Sequence, residues 1–273
     1  MKNKQWFDEN ITDVDFIRAH EDLTPRGPRH MPISSADILT KFRNKAESLG
    51  LTLVNEKGAL KRDGTRFMYV ADIKDDSRKD YALSLGFRQS SDTSMSFSSC
   101  FGTSCFICSN GCISGLIKPS RMKHTVGNVS NNMIDGRIDI VFDRFLETKE
   151  DIHAQIDMMK STPITDELVG KFVRKLNGYW NADGKFIKNP LLGSTNLMMI
   201  LAELENPTLN RHDDNSMYRL LNAATYVTTH KFRNPNQAML ASREINNTIM
   251  GLINSDFTPL GDVIDVADET DAE

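Results

Sequence analysis

The spacing of apolar residues changes once along the chain, close to residue 147. From Leu51 to about Phe145 the apolar positions mostly alternate with polar ones, which is the pattern of strands that bury one face. Beyond that point they recur at intervals of three and four, which is typical of amphipathic helices. The sequence therefore predicts an α+β fold, in which one N-terminal helix and a mostly antiparallel sheet precede a helical C-terminal half.

Local signals predict the individual elements. A helix begins after Ser34, which can cap it with Asp37 three residues on, and ends near Gly50. Strands are predicted at 51–54, 66–73, 81–87, 95–101, 105–109, 112–117 and 137–142. Turns are predicted at Lys57-Gly58, Asp63-Gly64, Asn110-Gly111 and Asp135-Gly136. Helices are predicted from apolar faces within 152–159, 168–176, 197–204, 217–227 and 238–252.

Four regions follow from these elements: an irregular arm at 1–32, a sheet region at 33–147, a helical region at 148–260 packed on the sheet, and a tail at 261–273. The arm includes the stiff basic stretch 25–32, Pro-Arg-Gly-Pro-Arg-His-Met-Pro. The last twelve residues contain six acids and no base, although the net charge of the whole chain is only −4. We expect a disordered tail that either solubilises the protein, competes with nucleic acid for a basic groove, or recruits partners.

The composition is that of a globular protein, with 39% hydrophobic and 26% charged residues. No apolar run approaches the roughly 20 residues of a membrane helix, and the N-terminus lacks the apolar core of a signal peptide. We therefore expect a cytoplasmic protein without membrane contact, whose cysteines are free thiols.

All four cysteines lie within thirteen residues, at Cys100, Cys105, Cys108 and Cys112. Cys105 and Cys108 could flank a tight turn as two ligands of a zinc site. Cys100, Cys112 or His124 would then have to complete the tetrahedron. If Asn110-Gly111 is a two-residue turn, however, Cys108 faces away from the other two, and Cys105 and Cys112 are roughly 14 Å apart along the hairpin. Buried thiols in a sheet are therefore favoured over a metal site, and we expect no cofactor.

A thiol enzyme is a separate alternative. A catalytic cysteine needs a lowered pKa and a nearby base, and Cys108 with His124 is the only plausible pair, with Asp92 as an orienting group. Nothing in the sequence brings these residues together. No phosphate-binding glycine loop, nucleophile elbow or H-E-x-x-H motif is present, so no catalytic residue is assigned.

Four segments together resemble one known family. Leu85-Gly-Phe-Arg-Gln-Ser-Ser-Asp-Thr-Ser94 is similar to its Leu-Gly-Leu-Arg-Asn-Ser-His-Asp-x-Ser signature, and Lys123-His-Thr-Val-Gly-Asn128 to its Lys-His-Thr-Gly-Asn element. Phe106-Ile-Cys-Ser-Asn-Gly111 and Leu221-Asn-Ala-Ala-Thr-Tyr-Val-Thr-Thr-His230 resemble its Val-Cys-x-Asn-Gly turn and its helical segment. The chain thus resembles, over roughly residues 32–252, the phage/plasmid-like family of unknown function numbered nine-three-two. The matching residues are Ser90, Asp92, Ser94, Cys108, Asn110, Gly111, His124, Asn222 and His230.

The resemblance implies a mobile-element protein in a bacterial host cytoplasm, and it implies no established activity. Ser91 stands where the family has histidine, so any chemistry that uses that histidine is absent here. The family turn requires only Cys108 of the four cysteines, which weakens the metal hypothesis further.

Basic residues surround the predicted cysteine hairpin. With Phe87, Phe97, Phe101 and Phe106 interleaved, they could bind a single strand through phosphate contacts and base stacking, although such rings are more often core residues. The candidate nucleic-acid-binding residues are Arg88, Lys118, Arg121, Lys123, His124 and Arg137.

Two further histidine sites have structural explanations. His212-Asp213-Asp214 resembles a metal-ligand run but is better explained as the cap of the next helix, and His230 lies at a helix end that favours a cation.

The leading hypothesis is a phage nucleic-acid-handling protein, a single-strand binder or annealer in replication or recombination, which could form homo-oligomers. One alternative is an anti-defence or host-takeover factor that binds a host protein, and the other is a thiol or metal enzyme.

Overall fold

The computed structural model describes residues 10–61, 63–78, 81–104, 114–115, 120–130, 133–208, 215–232 and 235–259. These residues form two compact units, and the boundary between the units lies between Glu147 and Thr148. The first unit comprises the described residues up to 104 and those from 120 to 147, and the second comprises 114–115 and the rest. The predicted α+β fold is confirmed, since an antiparallel sheet occupies the N-terminal half and helices dominate the C-terminal half.

Strands dominate the chain up to residue 122, and helices dominate it afterwards. The first part contains α1 (Val14–His20), α2 (Ser35–Ser48), β1 (Leu53–Lys61), β2 (Arg66–Ile73), β3 (Ala82–Ser90), β4 (Phe97–Ser104), β5 (Ser114–Gly115) and β6 (Ser120–Met122). There follow α3 (Val126–Ser130), α4 (Met133–Ser161), α5 (Asp166–Asn177), β7 (Gly178–Trp180), β8 (Phe186–Lys188), α6 (Ser194–Glu205), α7 (Met217–Lys231) and α8 (Pro235–Ile253).

Strands β1 to β4 form an antiparallel meander, and β6 pairs with the outer side of β4. The register places Tyr69 opposite Phe87, and Leu85 opposite Phe101, so aromatic side chains share one face of the sheet. Phe42 of α2 packs against this face, with its ring centroid 5.3 Å from that of Phe87. The buried rings on this face are Phe67, Tyr69, Phe87, Phe97 and Phe101. The phenylalanines that could have stacked on bases are therefore core residues wherever the structure describes them.

Helix α2 has the predicted ends. The Ser34 hydroxyl accepts a hydrogen bond from the backbone N–H of Asp37 at 3.1 Å, which satisfies one of the donors at the helix start. Gly50 follows the helix with a φ of 69°, a left-handed conformation that glycine adopts without steric cost.

The strand predicted at 137–142 is wrong, because these residues lie within α4, as does the turn predicted at Asp135-Gly136. Residues 138, 140 and 142 alternate as in a strand, but the buried residues also recur at helical spacing. Packing on the sheet region decides in favour of the helix, since the Phe145 ring lies 5.7 Å from that of Phe101 in β4. The buried helical face comprises Ile134, Ile138, Val141, Phe142 and Phe145.

Two predictions about the start of the chain are also wrong. The arm at 1–32 is not irregular throughout, because it contains α1, and Lys57-Gly58 lies within β1 instead of forming a turn. The backbone N–H of Ile11 donates to the carbonyl of Gly58 at 2.8 Å. A Cβ at Gly58 would lie 1.9 Å from the carbonyl oxygen of Ile11, so glycine is required by the close approach of the arm.

The second unit contains the predicted helices, and their predicted apolar faces are largely buried. A short hairpin of β7 and β8, which the sequence did not predict, follows α5. No helix in the described part of the chain has the length and apolar character needed to cross a membrane. The tail at 261–273, Cys105, Cys112 and His212-Asp213-Asp214 lie outside the described residues.

Candidate functional site

A cleft of about 300 Å³ opens in the first unit. Three segments line it: the basic arm at 29–30, the turn between β3 and β4 at 93–96, and the segment at 123–125 that follows β6. The turn begins within the motif Leu85–Ser94, and the last segment lies within the motif Lys123–Asn128, which both carry the family resemblance. The fold thus brings two distant motifs and the arm to one place.

Backbone hydrogen bonds hold the arm against the segment that follows β6. The N–H of Met31 donates to the carbonyl of His124, and the N–H of Val126 donates to the carbonyl of Arg29, each at 3.1 Å. His30 and Thr125 form an antiparallel bridge between these two bonds. This pairing brings the side chains of His30 and His124 close together.

The two histidine rings are nearly parallel, with an angle of 2° between their planes and 6.4 Å between their centroids. His124 is only 6% exposed. Its Nδ1 and Nε2 atoms, and Nε2 of His30, are buried without a hydrogen-bond partner among the described residues. The backbone N–H of Arg26 donates to Nδ1 of His30 at 3.0 Å, so a neutral His30 carries its hydrogen on Nε2.

Burial lowers the pKa of His124 to about 4, and the positive charge of a protonated His30 lowers it in the same direction. His124 is therefore neutral at pH 7. It offers one N–H donor and one acceptor nitrogen, and neither is used within the described structure.

The charged side chains that line the cleft are basic. Arg29 and Lys123 are both exposed, and none of the described lining residues is an aspartate or glutamate. Thr93, Ser96 and Thr125 contribute hydroxyl groups. The cleft therefore combines two cations with neutral donors, an arrangement that attracts anions.

The turn beside the cleft is held by its own polar groups. Oδ1 of Asp92 accepts hydrogen bonds from the hydroxyl of Ser94 and from its backbone N–H, the latter at 3.0 Å. The Ser90 hydroxyl accepts from the N–H of Met95 at 2.8 Å and donates to its carbonyl at 3.0 Å. Arg66 Nε donates to the Ser94 hydroxyl at 2.9 Å and lies 3.6 Å from Asp92 Oδ2. The motif residues Ser90, Asp92 and Ser94 therefore shape the turn.

The pKa of Asp92 reflects this network. Burial alone would raise it, but the hydrogen bonds from Ser94 and Ser90 and the charge of Arg66 lower the pKa of Asp92 to about 2. Thr93, next along the chain, has a φ of 65°, which β-branched residues rarely adopt. The network thus holds a strained backbone at the edge of the cleft.

Ser91 occupies the position at which the family signature has histidine. It is 3% exposed, its N–H donates to the Thr65 carbonyl at 2.8 Å, and its hydroxyl donates to the Asp22 carbonyl. The side chain at this position therefore points into the protein and joins the turn to the arm.

Of the six candidate nucleic-acid-binding residues, the structure places Lys123 and His124 in the cleft. Arg121 lies in β6, opposite Ser98, and Arg88 is half-buried on β3. Arg137 is 3% exposed in α4, so it does not share an exposed surface with Lys123. Lys118 lies outside the described residues.

The remaining family-motif residues lie elsewhere. Asn222 and His230 are in α7 of the second unit, where the His230 ring stacks on Tyr226 with 4.2 Å between centroids and its Nδ1 lies 2.9 Å from the Tyr226 carbonyl. Cys108, Asn110 and Gly111 lie outside the described residues.

Cys100 is the one cysteine within the described residues, and it is half-buried on β4. Burial raises the pKa of its thiol to about 11, against the opposing effect of Arg88. Cys100 is therefore protonated at neutral pH and is a poor nucleophile or metal ligand. Among the residues that the structure covers, no group of three His, Cys, Asp or Glu could hold a metal ion.

The sequence does not single out most residues of the cleft, among them Arg29, His30, Thr93 and Ser96. The sequence indicates that the arm is stiff and basic. The pairing of the arm with residues 124–126 is a tertiary contact, and no local sequence signal predicts it. The positive φ of Thr93 likewise has no signal in the sequence, because threonine disfavours it.

Both motifs that meet at the cleft lie within the region that matches a family model. Residues 22–248 match the model of the domain of unknown function DUF932. The chain belongs to this family. The matched DUF932 region includes all three segments that line the cleft. No curated protein and no solved structure matches the chain.

Proposed function

We propose that this DUF932 protein binds single-stranded nucleic acid through the cleft of its first unit, in replication or recombination of a mobile element. The observation that carries the proposal is the pair of exposed cations, Arg29 and Lys123, at a cleft whose described lining contains no acidic side chain. Phosphate contacts by arginine and lysine supply most of the affinity of binding that is independent of sequence.

Several other basic residues of the first unit form ion pairs with acids, which reduces their attraction for phosphate. Beside the cleft, the carboxylate of Asp92 is engaged by Ser94 and Arg66, so its charge is partly compensated within the turn. The ion pairs elsewhere in the unit are Arg18–Asp37, Lys41–Asp135, Lys45–Asp139 and Lys74–Asp76.

The size of the cleft favours a flexible strand over a duplex. A cleft of about 300 Å³ is at the lower end of ligand-binding pockets, so it accommodates about one phosphate with its sugar. A single strand can bend one such group into it, whereas a duplex is stiff over about 150 base pairs. Phe87, Phe97 and Phe101 are buried and so cannot stack on bases. We therefore attribute the affinity to contacts with the sugar-phosphate backbone of the strand and expect little preference for base sequence.

Fluorescence anisotropy with labelled single- and double-stranded oligonucleotides over a salt series tests this proposal. The double variant Arg29→Ala/Lys123→Ala should bind the single strand at least about tenfold more weakly. A matched control is Arg18→Ala/Lys74→Ala, which removes the same two residue types from ion pairs elsewhere. Equally weakened strand binding in both variants would mean that the net charge of the protein, and not the cleft, determines the affinity. No binding by the wild type at low salt would refute the proposal.

In the cell, the proposed setting is the cytoplasm of a bacterial host, where a phage or plasmid protein of this family would act. The acidic tail at 261–273 would then compete with the strand for the cleft or recruit partners. Removal of the tail should tighten binding of the strand if it competes, and should leave the affinity unchanged if it only recruits partners.

A second candidate function is supported by exposed apolar side chains in the second unit. Met198 and Met199 of α6 are 65% and 39% exposed, and Tyr179 of β7 is 64% exposed. Methionine-rich surfaces adapt to protein partners, so a factor that binds a host protein is the alternative proposal. Capture of one host protein that is lost in Met198→Ser/Met199→Ser, together with no oligonucleotide binding, would favour this alternative.

A further inference from the structure

We infer that the cleft around His30 and His124 is a binding site for a phosphomonoester, supplied either by the end of a strand or by a free nucleotide. Where the phosphate belongs to a strand, the inference rests on the proposed function and specifies which part of the strand enters the cleft.

The unpartnered ring nitrogens are the first observation. His124 is 94% buried and lines the cleft, yet neither of its nitrogens is hydrogen-bonded within the described structure, and Nε2 of His30 is in the same situation. A buried polar group without a partner is destabilising, so such groups are rare unless an ordered water or a ligand completes them. Rotation about χ2 of histidine has a broad minimum, so the rings can adjust their orientation when a ligand binds.

The charge and chemistry of the lining decide the class of ligand. Arg29 and Lys123 supply positive charge, Nε2–H of His30 supplies a donor, and Thr93, Ser96 and Thr125 supply hydroxyls. A metal site would instead require carboxylates, thiolates or a third histidine, and the described lining contains none of these. The lining therefore suits an oxyanion with several acceptor oxygens.

Three segments enclose the cleft, which favours a terminal phosphate over an internal one. A monoester presents three terminal oxygens and a charge of about −1.5 to −2 at pH 7, whereas an internal diester presents two oxygens and a single charge. The arm, the turn and the segment after β6 can each contact one oxygen of a monoester. A strand that passes through the cleft would have to leave past one of these segments.

Oligonucleotides that differ only at their ends test the inference. The wild type should bind a strand with a 5′- or 3′-phosphate at least about tenfold more tightly than the same strand with hydroxyl ends. The ratio of the two affinities should fall to about one in His30→Gln and in His124→Gln. His20→Gln is the matched control, because the exposed His20 bonds its own helix at Phe16 and lies outside the cleft lining, so the ratio should persist.

Thermal melting in the presence of small ligands separates the outcomes. Thymidine 5′-monophosphate or inorganic phosphate should raise the melting temperature of the wild type by a few degrees, and thymidine should not. If His124→Gln does not fold, Ser96→Ala must reduce the phosphate effect for the inference to stand.

The results distinguish this inference from the proposed function. Strands that bind without any preference for a phosphorylated end would overturn the inference and leave single-strand binding intact. A melting shift with the nucleotide but no binding of any strand would support a free-nucleotide site and refute single-strand binding. Stabilisation by Zn²⁺ or Ni²⁺, without an effect of phosphate, would overturn the inference in favour of a metal.

Discussion

Two neighbouring polar clusters of the first unit use their hydrogen-bonding groups in opposite ways. In the turn after β3, Ser90, Asp92 and Ser94 satisfy one another and the backbone of Met95. In the cleft beside it, His30 and His124 leave three buried nitrogens without partners among the described residues. Asp92 and His124 both belong to motifs that carry the family resemblance, so these motifs contain residues whose polar groups are satisfied as well as a residue whose polar groups have no partner among the described residues.

The largest effect on stability is expected in the satisfied cluster, which is the turn with Ser90, Asp92 and Ser94. Asp92→Ala removes the acceptor for the Ser94 N–H and hydroxyl and deprives Arg66 of a nearby acid, so the free energy of unfolding should fall by about 3 kcal/mol. Urea unfolding measures this change. Asp76→Ala is the control, because its side chain is 84% exposed and its ion pair with Lys74 should contribute less than about 1 kcal/mol. Similar losses in the two variants would contradict a structural role for Asp92.

A pH titration of stability separates the two clusters by their pKa values. His124 has a folded pKa of about 4, below its ordinary value of 6.5, so the unfolded state binds its proton first as the pH falls. Stability should therefore decline between about pH 6.5 and 4, by about 3 kcal/mol for a shift of this size. The pKa of Asp92, about 2 against an ordinary 3.8, predicts a further loss only below about pH 4.

His124→Gln tests which group causes the first decline. The variant should lose the decline between pH 6.5 and 4 and keep the loss at lower pH, because glutamine does not titrate. An unchanged profile would mean that other groups dominate this range of pH.

A smaller loss is expected for Ser90. Ser90→Ala leaves the N–H and carbonyl of Met95 without the hydroxyl that bonds both, and Ser90 is fully buried, so we expect a loss of about 2 kcal/mol in unfolding free energy. Because Met95 also lines the cleft, weaker phosphate binding should accompany the loss. Ser48→Ala on the exposed end of α2 is the matched control and should have little effect on either quantity.

The smallest change in stability is expected at the unsatisfied cluster, which is the histidine pair His30 and His124 of the cleft. His124→Gln at pH 7.5 removes a neutral side chain whose nitrogens make no hydrogen bond within the described residues, so the free energy of unfolding should change by less than about 1 kcal/mol. Urea unfolding at this pH provides the measurement. A loss of more than about 3 kcal/mol would show that His124 is a structural residue, like Asp92.

The sequence predicts those parts of the fold that depend on local signals. Ser34 and Gly50 mark the ends of α2, and the strands paired through Tyr69 and Phe87 follow from alternation. Prediction fails at 137–142, where alternation and helical spacing coincide and only packing on the sheet decides between them. Gly58 resembles a turn residue because it follows Lys57 in a polar pair. Its close approach to Ile11, 47 residues earlier, has no local signal in the sequence.

The candidate site is predictable only in part for the same reason. Lys123 and His124 stand out by their motif and their charge, but their partners Arg29 and His30 come from an arm more than 90 residues away. The satisfied and unsatisfied clusters both consist of ordinary polar residues, and only three-dimensional contacts show which polar groups remain unpaired. The residue types alone therefore do not indicate that Asp92 is hydrogen-bonded within the turn whereas His124 has ring nitrogens without a partner among the described residues.

The salt dependence of single-strand binding tests the central claim, that the cations of the cleft hold a strand by its phosphates, most directly. We expect the slope of log affinity against log salt to become shallower by about 0.7 in Arg29→Ala/Lys123→Ala, since the cleft accommodates about one phosphate and each lost phosphate contact accounts for about 0.7 in a single strand. The Arg18→Ala/Lys74→Ala control should keep the slope of the wild type. Equal slopes in the wild type and in Arg29→Ala/Lys123→Ala would contradict the account.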